Sequence, residues 1–175
     1  MSNRVIFLDR DGVINIDTDY LHKPEDFIFL DGVFESCIYL QNLGFKIIII
    51  TNQSGIARGY YSETDYQKLT KWMIGRFNEN NVNILDVIHC PHLPNGMCEC
   101  RKPKPGMFFL AENKYNIDMK NSWMIGDSEK DIQAANASNI TNTILVRSGH
   151  KINENLSQAK FLIDSLKDIK GVVKN

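Results

Sequence analysis

A doubly wound α/β fold with a mainly parallel sheet is what this sequence predicts, and three observations predict it. Short apolar runs with the length of buried strands alternate with segments of helical character. The 175 residues, 43% of them hydrophobic, suit one domain, residues 1–175, with a substantial core. Aspartates and a threonine end several of the runs, where open parallel sheets bind ligands.

Taken in order, "RVIFLD" (4–9) is the first buried strand, followed by a polar, irregular stretch. A helix spans about Gly32 to Leu43, with Gly44 at its C-terminal end. "FKIIIIT" (45–51) is the second strand. Ser62 reads as an N-cap with Asp65 three residues on, opening an amphipathic helix to about Glu79. "ILDVIHC" (84–90) is the third strand, and a cysteine-rich loop follows it. Pro105 reads as the first residue of a helix to about Tyr115. "SWMIGD" (122–127) is the fourth strand, a short helix covers about 129–138, and "NTILVR" (142–147) is the fifth strand. A short strand at "FLI" (161–163) and a solvated, lysine-rich last helix complete the chain. The pattern is Rossmann-like, with no repeat, linker or low-complexity segment.

Composition removes several function classes. No apolar run reaches the ~18 residues of a membrane span. Asp9 and Arg10 interrupt the N-terminal apolar segment, which removes a signal-peptide layout and makes the cytoplasm the expected location. A net charge of −1 offers no basic field for nucleic acid. Without a sustained apolar surface stripe, a monomer is expected.

Chemistry concentrates at one sheet edge. Asp9 and Asp11 stand one residue apart in "VIFLDRDGVIN" (5–15), and such a pair persists when a cation neutralises it or two chemical roles require it. Asp9 ends the first strand, Thr51 the second and Asp127 the fourth, while Lys102 and Lys104 lie in the loop before the helix that leads to the fourth. A strand-end aspartate is by itself a common turn or capping residue. As a set, Asp9, Asp11 and Asp127 suit Mg²⁺, a hard cation that takes oxygen ligands.

The arrangement resembles the haloacid dehalogenase superfamily of phosphotransferases. "DRDG" (9–12), "TNQSG" (51–55), "RKPKP" (101–105) and "GDSEKD" (126–131) match its four motifs in order. The resemblance implies that Asp9 is the nucleophile and Asp11 the acid and base. It implies Mg²⁺ held by the Asp9 side chain, the Asp11 carbonyl and Asp127. Thr51, the Asn52 amide and Lys102 would cradle the phosphoryl group, with Asp131 behind them orienting Mg²⁺ waters or Lys102.

Within "CPHLPNGMCEC" (90–100), Cys90, His92, Cys98 and Cys100 make a complete tetrahedral set, the donor chemistry of a closed structural Zn²⁺ site. In a reducing compartment such a cluster reads as metal binding before disulfides. The loop runs into Arg101 and Lys102, so its task is to hold those cations in place.

Only 39 residues separate Asp11 from Thr51, too few for an inserted cap domain, and an open, capless site is expected. Capless form, zinc-like loop and "TNQSGIARG" (51–59) resemble the subfamily of D-glycero-D-manno-heptose 1,7-bisphosphate 7-phosphatases and histidinol-phosphate phosphatases. That resemblance implies a small phosphorylated sugar as partner, contacted by Asp17, Thr18, Asp19, Tyr20, Gln53, Ser54, Arg58 and Arg101. Arginine suits the distal phosphate because its fork binds bidentately. Two positions depart from the expected pattern: Ser128 stands where several heptose phosphatases carry lysine, and Asp19 where a smaller residue is common. Histidinol phosphate is the alternative substrate, followed by another sugar phosphate or a polynucleotide 3′-phosphate.

A phosphoryl-accepting receiver domain shares the strand-end aspartates but carries its acceptor on the third strand and has no zinc loop. A zinc-dependent nucleic-acid module predicts a basic surface that this chain lacks. Cys37 reads as a buried small hydrophobe, Trp72 and Trp123 as packing residues, and His89 as core or edge. His22 and His150 read as surface loop residues, with His150 near the site edge, and Arg147 as a surface charge.

Overall fold

Six strands build one sheet in the computed structural model, which describes residues 2–174. They are β1 (Val5–Leu8), β2 (Lys46–Asn52), β3 (Ile84–Cys90), β4 (Trp123–Gly126), β5 (Asn142–Val146) and β6 (Phe161–Ile163). The order across the sheet is β3-β2-β1-β4-β5-β6, and every neighbouring pair is parallel. The chain winds from the centre to one edge, then crosses to the other side of β1. Winding reverses between β1 and β4, and a crevice opens there beyond the carboxyl ends of the strands.

Four α-helices cover the sheet: α1 (Val33–Asn42), α2 (Glu63–Glu79), α3 (Gly106–Tyr115) and α4 (Glu129–Ala137). Successive strand side chains point to opposite faces. Ile6, Leu8, Ile47 and Ile49 join Leu40 of α1 and Met73 and Phe77 of α2 in one core. Val5, Phe7, Ile48 and Ile50 join Met107 and Phe108 of α3 and Ala134 of α4 in the other. Burial on both faces is why the strands read as unbroken apolar runs. Each fully buried isoleucine of β2 stabilises the fold by about 1.5–3 kcal/mol relative to exposure.

Local chemistry fixes the helix ends. Ser62 caps α2 in a reciprocal box with Asp65. Gly44 takes φ 86° just past α1, a left-handed turn that suits glycine. Pro105 sits at the cap position of α3, one residue before its expected place.

The tail differs from expectation. After β6, Leu166–Gly171 forms 3₁₀ turns in place of a solvated α-helix. Leu166, Ile169 and Val173 are buried under α1. Ser36 Oγ donates to the Leu166 carbonyl at 2.9 Å and Tyr39 OH to the Val173 carbonyl at 2.8 Å, so hydrogen bonds from α1 hold the segment in a shape an α-helix does not offer. No described helix is long and apolar enough to cross a membrane.

Candidate active site

Beyond β1, β2 and β4 lies a cleft of about 510 Å³. Asp9 leaves the end of β1 with its N–H bonded to the Ile125 carbonyl of β4 at 3.0 Å, so sheet pairing itself sets its position. Lys102 reaches in from the loop before α3 and is 2% exposed. Its Nζ lies 3.1 Å from Asp9 Oδ1 and 2.7 Å from Asp131 Oδ1, and donates to the Ile50 carbonyl at 2.9 Å. Asp131 serves twice, since its other oxygen accepts the Ser128 N–H at 3.1 Å and caps α4. Asp127, just past β4, accepts the His150 N–H at 2.9 Å and His150 Nδ1 at 2.6 Å.

Oxygens of Asp9, Asp127 and Asp131 lie within 4.8 Å of one another. Burial and then the neighbouring Asp131 lift Asp9 well above the usual carboxylate range, against the pull of Lys102. Asp127 is raised for the same first two reasons, with His150 opposing. Burial works against the Lys102 ammonium, but Asp131 and Asp9 outweigh it and hold its pKa above the ordinary lysine value. One lysine does not neutralise three crowded carboxylates, so the cluster fits a hard cation. The backbone leaves room for the Asp127 carboxylate: a Cβ on Gly12 or Gly149 would fall 2.2 Å or 2.0 Å from Asp127 Oδ2.

Asp11 sits on the turn beyond Asp9. Arg10, 1% exposed, forks onto it with Nε and Nη2 at 3.1 and 2.9 Å, and Asn15 Nδ2 donates to it at 2.9 Å. Gln53 Nε2 donates to Asp11 Oδ2 at 3.1 Å and to Thr51 Oγ1 at 2.8 Å. Asn52 spends its side chain on Lys102: Nδ2 donates to the Lys102 carbonyl and Oδ1 accepts its N–H, both at 3.1 Å. That pair ties the lysine loop to the end of β2.

Of the expected substrate contacts, Asp17, Asp19, Tyr20, Gln53, Ser54 and Arg101 line the cleft. Thr18 and Arg58 do not. Thr18 is exposed outside it, and Arg58 lies with its guanidinium carbon 5.9 Å from the centre of the Tyr20 ring, a flank to Tyr20. Gln53 reaches the cleft with an amide already engaged by protein groups. Asp19 and Tyr20 adopt φ 53° and 54°, two successive non-glycine residues in the left-handed region, and strain of this kind is of order 1 kcal/mol each.

Tyr61, Lys151, Ile152 and Leu156, which no sequence pattern marks, also belong to the cleft wall, and Lys130 joins them two residues past Ser128. His150 is the exposed loop residue at the site edge that the sequence suggests, and it also bonds Asp127, a contact across 23 residues that no local pattern announces. Arg147, by contrast, pairs outward with Glu154 and Asp164 as a surface charge.

The cysteine loop gathers its own donors. Cys90 Sγ lies 3.8 Å from Cys98 Sγ and 3.4 Å from His92 Nδ1, and His92 Nδ1 lies 3.2 Å from Cys100 Sγ. A tetrahedron with zinc–thiolate bond lengths has edges of about 3.8 Å between sulfurs, so the four residues fit that ion. Arg101 Nη1 donates to the His92 carbonyl at 3.3 Å, which joins this loop to the cleft rim.

Known proteins show the same organisation. The HAD-hydrolase-like family profile matches residues 99–169. A D-glycero-beta-D-manno-heptose-1,7-bisphosphate 7-phosphatase of Vibrio cholerae is 45% identical over 97% of this chain and 95% of that protein. A D-glycero-alpha-D-manno-heptose-1,7-bisphosphate 7-phosphatase of Photorhabdus laumondii is 49% identical over 86% of each chain. Among solved structures, the D,D-heptose 1,7-bisphosphate phosphatase from B. bronchiseptica, complexed with magnesium and phosphate, superposes with a TM-score of 0.83. It is 28% identical and covers 96% of both chains.

Proposed function

Because the chain belongs to the haloacid-dehalogenase-like family of heptose 1,7-bisphosphate 7-phosphatases, we infer that it removes the 7-phosphate of D-glycero-D-manno-heptose 1,7-bisphosphate through an aspartyl-phosphate. The observation that carries this reading is the cluster of Asp9, Lys102, Asp127 and Asp131 at the β1/β4 switch point, with Asp11 two residues past Asp9.

In the first step an Asp9 carboxylate oxygen attacks phosphorus, and the bond from phosphorus to the sugar oxygen breaks. Asp11 gives its proton to the departing alkoxide. In the second step Asp11 takes a proton from water as that water attacks the aspartyl-phosphate, which frees Asp9 and inorganic phosphate. Thr51 Oγ, the Asn52 N–H and the Lys102 ammonium hold the phosphoryl oxygens. A magnesium ion on Asp9, Asp127 and the Asp11 carbonyl supplies charge neutralisation when bound. Cys90, His92, Cys98 and Cys100 would hold an architectural zinc, and Arg101 beside them takes the distal phosphate. The reading is of one domain, residues 1–175, acting as a monomer in the cytoplasm to supply activated heptose for surface glycans.

Relatives named for both anomers match at similar identity, so the substrate is tested directly. Phosphorus NMR with Mg²⁺ and each anomer of heptose 1,7-bisphosphate, beside histidinol phosphate, shows which phosphate leaves. Selective loss of the 7-phosphate, absent in Asp9→Asn, is the expected result. Release from histidinol phosphate alone would overturn the heptose assignment.

A further inference from the structure

Tyr61 lies outside the four phosphatase motifs, yet its hydroxyl donates to Gln53 Oε1 at 2.5 Å. Gln53 in turn spends both amide hydrogens, one on Thr51 Oγ1 and one on Asp11 Oδ2. Gln53 is 3% exposed and Tyr61 6%, so water does not compete freely for these groups. Burial pushes the Tyr61 hydroxyl up to about 12, which keeps it a neutral donor at working pH. We propose that Tyr61 is a positioning residue that locks the direction of the Gln53 amide and, through it, aligns Asp11 and Thr51 for phosphoryl transfer.

Hydrogen-bond polarity decides which way the amide faces. A primary amide has one accepting and one donating end of nearly the same shape. With the Tyr61 proton on Oε1, the donating end faces the site. Thr51 Oγ1 then accepts from Gln53, and its own proton points outward to a phosphoryl oxygen. Asp11 Oδ2 likewise keeps a donor beside it while ionised, and its other oxygen bears the bonds from Arg10 Nε and Asn15. Reversal of the amide would set Oε1 against the Asp11 carboxylate. It would also draw the single Thr51 proton inward, away from the substrate. Without Tyr61 the two orientations compete; with it, one wins.

The tyrosine is itself held. Its ring stacks on His22 with centroids 5.0 Å apart and planes 12° from parallel. Gly55 makes the close approach possible, since a Cβ there would fall 2.2 Å from Tyr61 Cε1. The glycine of "TNQSG" therefore makes space for a ring six residues further on.

The proposal rests on Asp11 acting as acid and base and Thr51 as a phosphoryl contact. Its test is a double-mutant cycle of Tyr61→Phe and Gln53→Ala on heptose 1,7-bisphosphate, with p-nitrophenyl phosphate in parallel and thermal unfolding to verify each fold. Tyr61→Phe keeps the ring against His22 and Gly55 and removes only the donor. The expected result is a fall in kcat of about tenfold with KM changed less than about twofold, since alignment of an acid–base group is lost and substrate contacts are not. In the Gln53→Ala background the same change should add less than about twofold, because Tyr61 then has nothing to orient. A Tyr61→Phe enzyme as fast as wild type, or losses that multiply in the double variant, would overturn the proposal while leaving the phosphatase reading intact. A wild-type protein that releases no phosphate from either compound would overturn that reading, and the proposal with it.

Discussion

Two donor clusters stand side by side in this molecule, and they are assembled in opposite ways. The carboxylates come from residues 9, 127 and 131, brought together by strand pairing across the centre of the sheet. The sulfurs and imidazole come from residues 90–100, the last residue of β3 and the loop after it, with no regular structure between Cys90 and Gly106. The first site is scaffolded by two hydrophobic cores whether or not an ion is present. Lys102 and His150 hold its carboxylates in place. The second is a loop tied at its base, where Arg101 donates to the His92 carbonyl and Lys104 to the Cys98 carbonyl, and Met97 at its tip is fully exposed. Topology holds the repelling charges of the first site together, whereas a bound ion would add most to the order of the second.

Substitution of a ligand or chelation at each site puts this contrast to the test. The largest effect belongs to the carboxylates: Asp9→Asn should lower kcat by at least about 10⁴-fold with native circular dichroism and a similar unfolding midpoint. Magnesium at 100 times its dissociation constant should stabilise the wild type by about 2.7 kcal/mol. For a chain of this size that is a midpoint rise of roughly 5–10 °C, and Asp127→Asn should erase it. A fold that collapses on loss of Mg²⁺ would contradict the scaffolded site.

The thiolate cluster should behave the other way. A strong zinc chelator should lower the unfolding midpoint of the wild type and cut kcat by about tenfold, because the loop that carries Lys102 loses its anchor. Thiol labelling offers a finer measure. Cys98 and Cys100 should become reactive on chelation, while Cys37 and Cys90, both fully buried with thiols pushed up to about 12, should lag behind them. Labelling of all four at one rate would mean that the loop and the core open together. The smallest effect falls where the two regions meet. Arg101→Lys should raise KM for the bisphosphate several-fold and leave kcat nearly unchanged, because lysine lacks the planar fork and the bond to the His92 carbonyl.

The same contrast explains what could be read from the residues alone. Strands buried on both faces announce themselves as unbroken runs, so β2 and β3 stand within a residue of where "FKIIIIT" and "ILDVIHC" place them. Asp9, Thr51 and Asp127 are legible because strand ends define where they point. The cysteine loop is legible because its donors are close in sequence. Arg10, Tyr61 and His150 are not, since each acts through a partner chosen by packing. A buried arginine beside an aspartate looks like an ordinary surface pair until burial is known. Beyond β6 the tail is not legible as 3₁₀ turns because its period-three apolar residues mimic an α-helical face, while the bonds from Ser36 and Tyr39 that shape it lie over 100 positions away.

Strand order carries a consequence for how the protein comes into being. The first strand made is central, and its second neighbour, β4, is made more than 110 residues later. At the ribosome, the segment through β3 can pair on one side only, with the other edge of β1 open along Ile6 to Leu8. Asp9 then stands at the end of a half-finished sheet without Asp127 and Asp131 beside it. With β4 docked, Asp127 joins Asp9, so the carboxylate cluster is complete only late in synthesis.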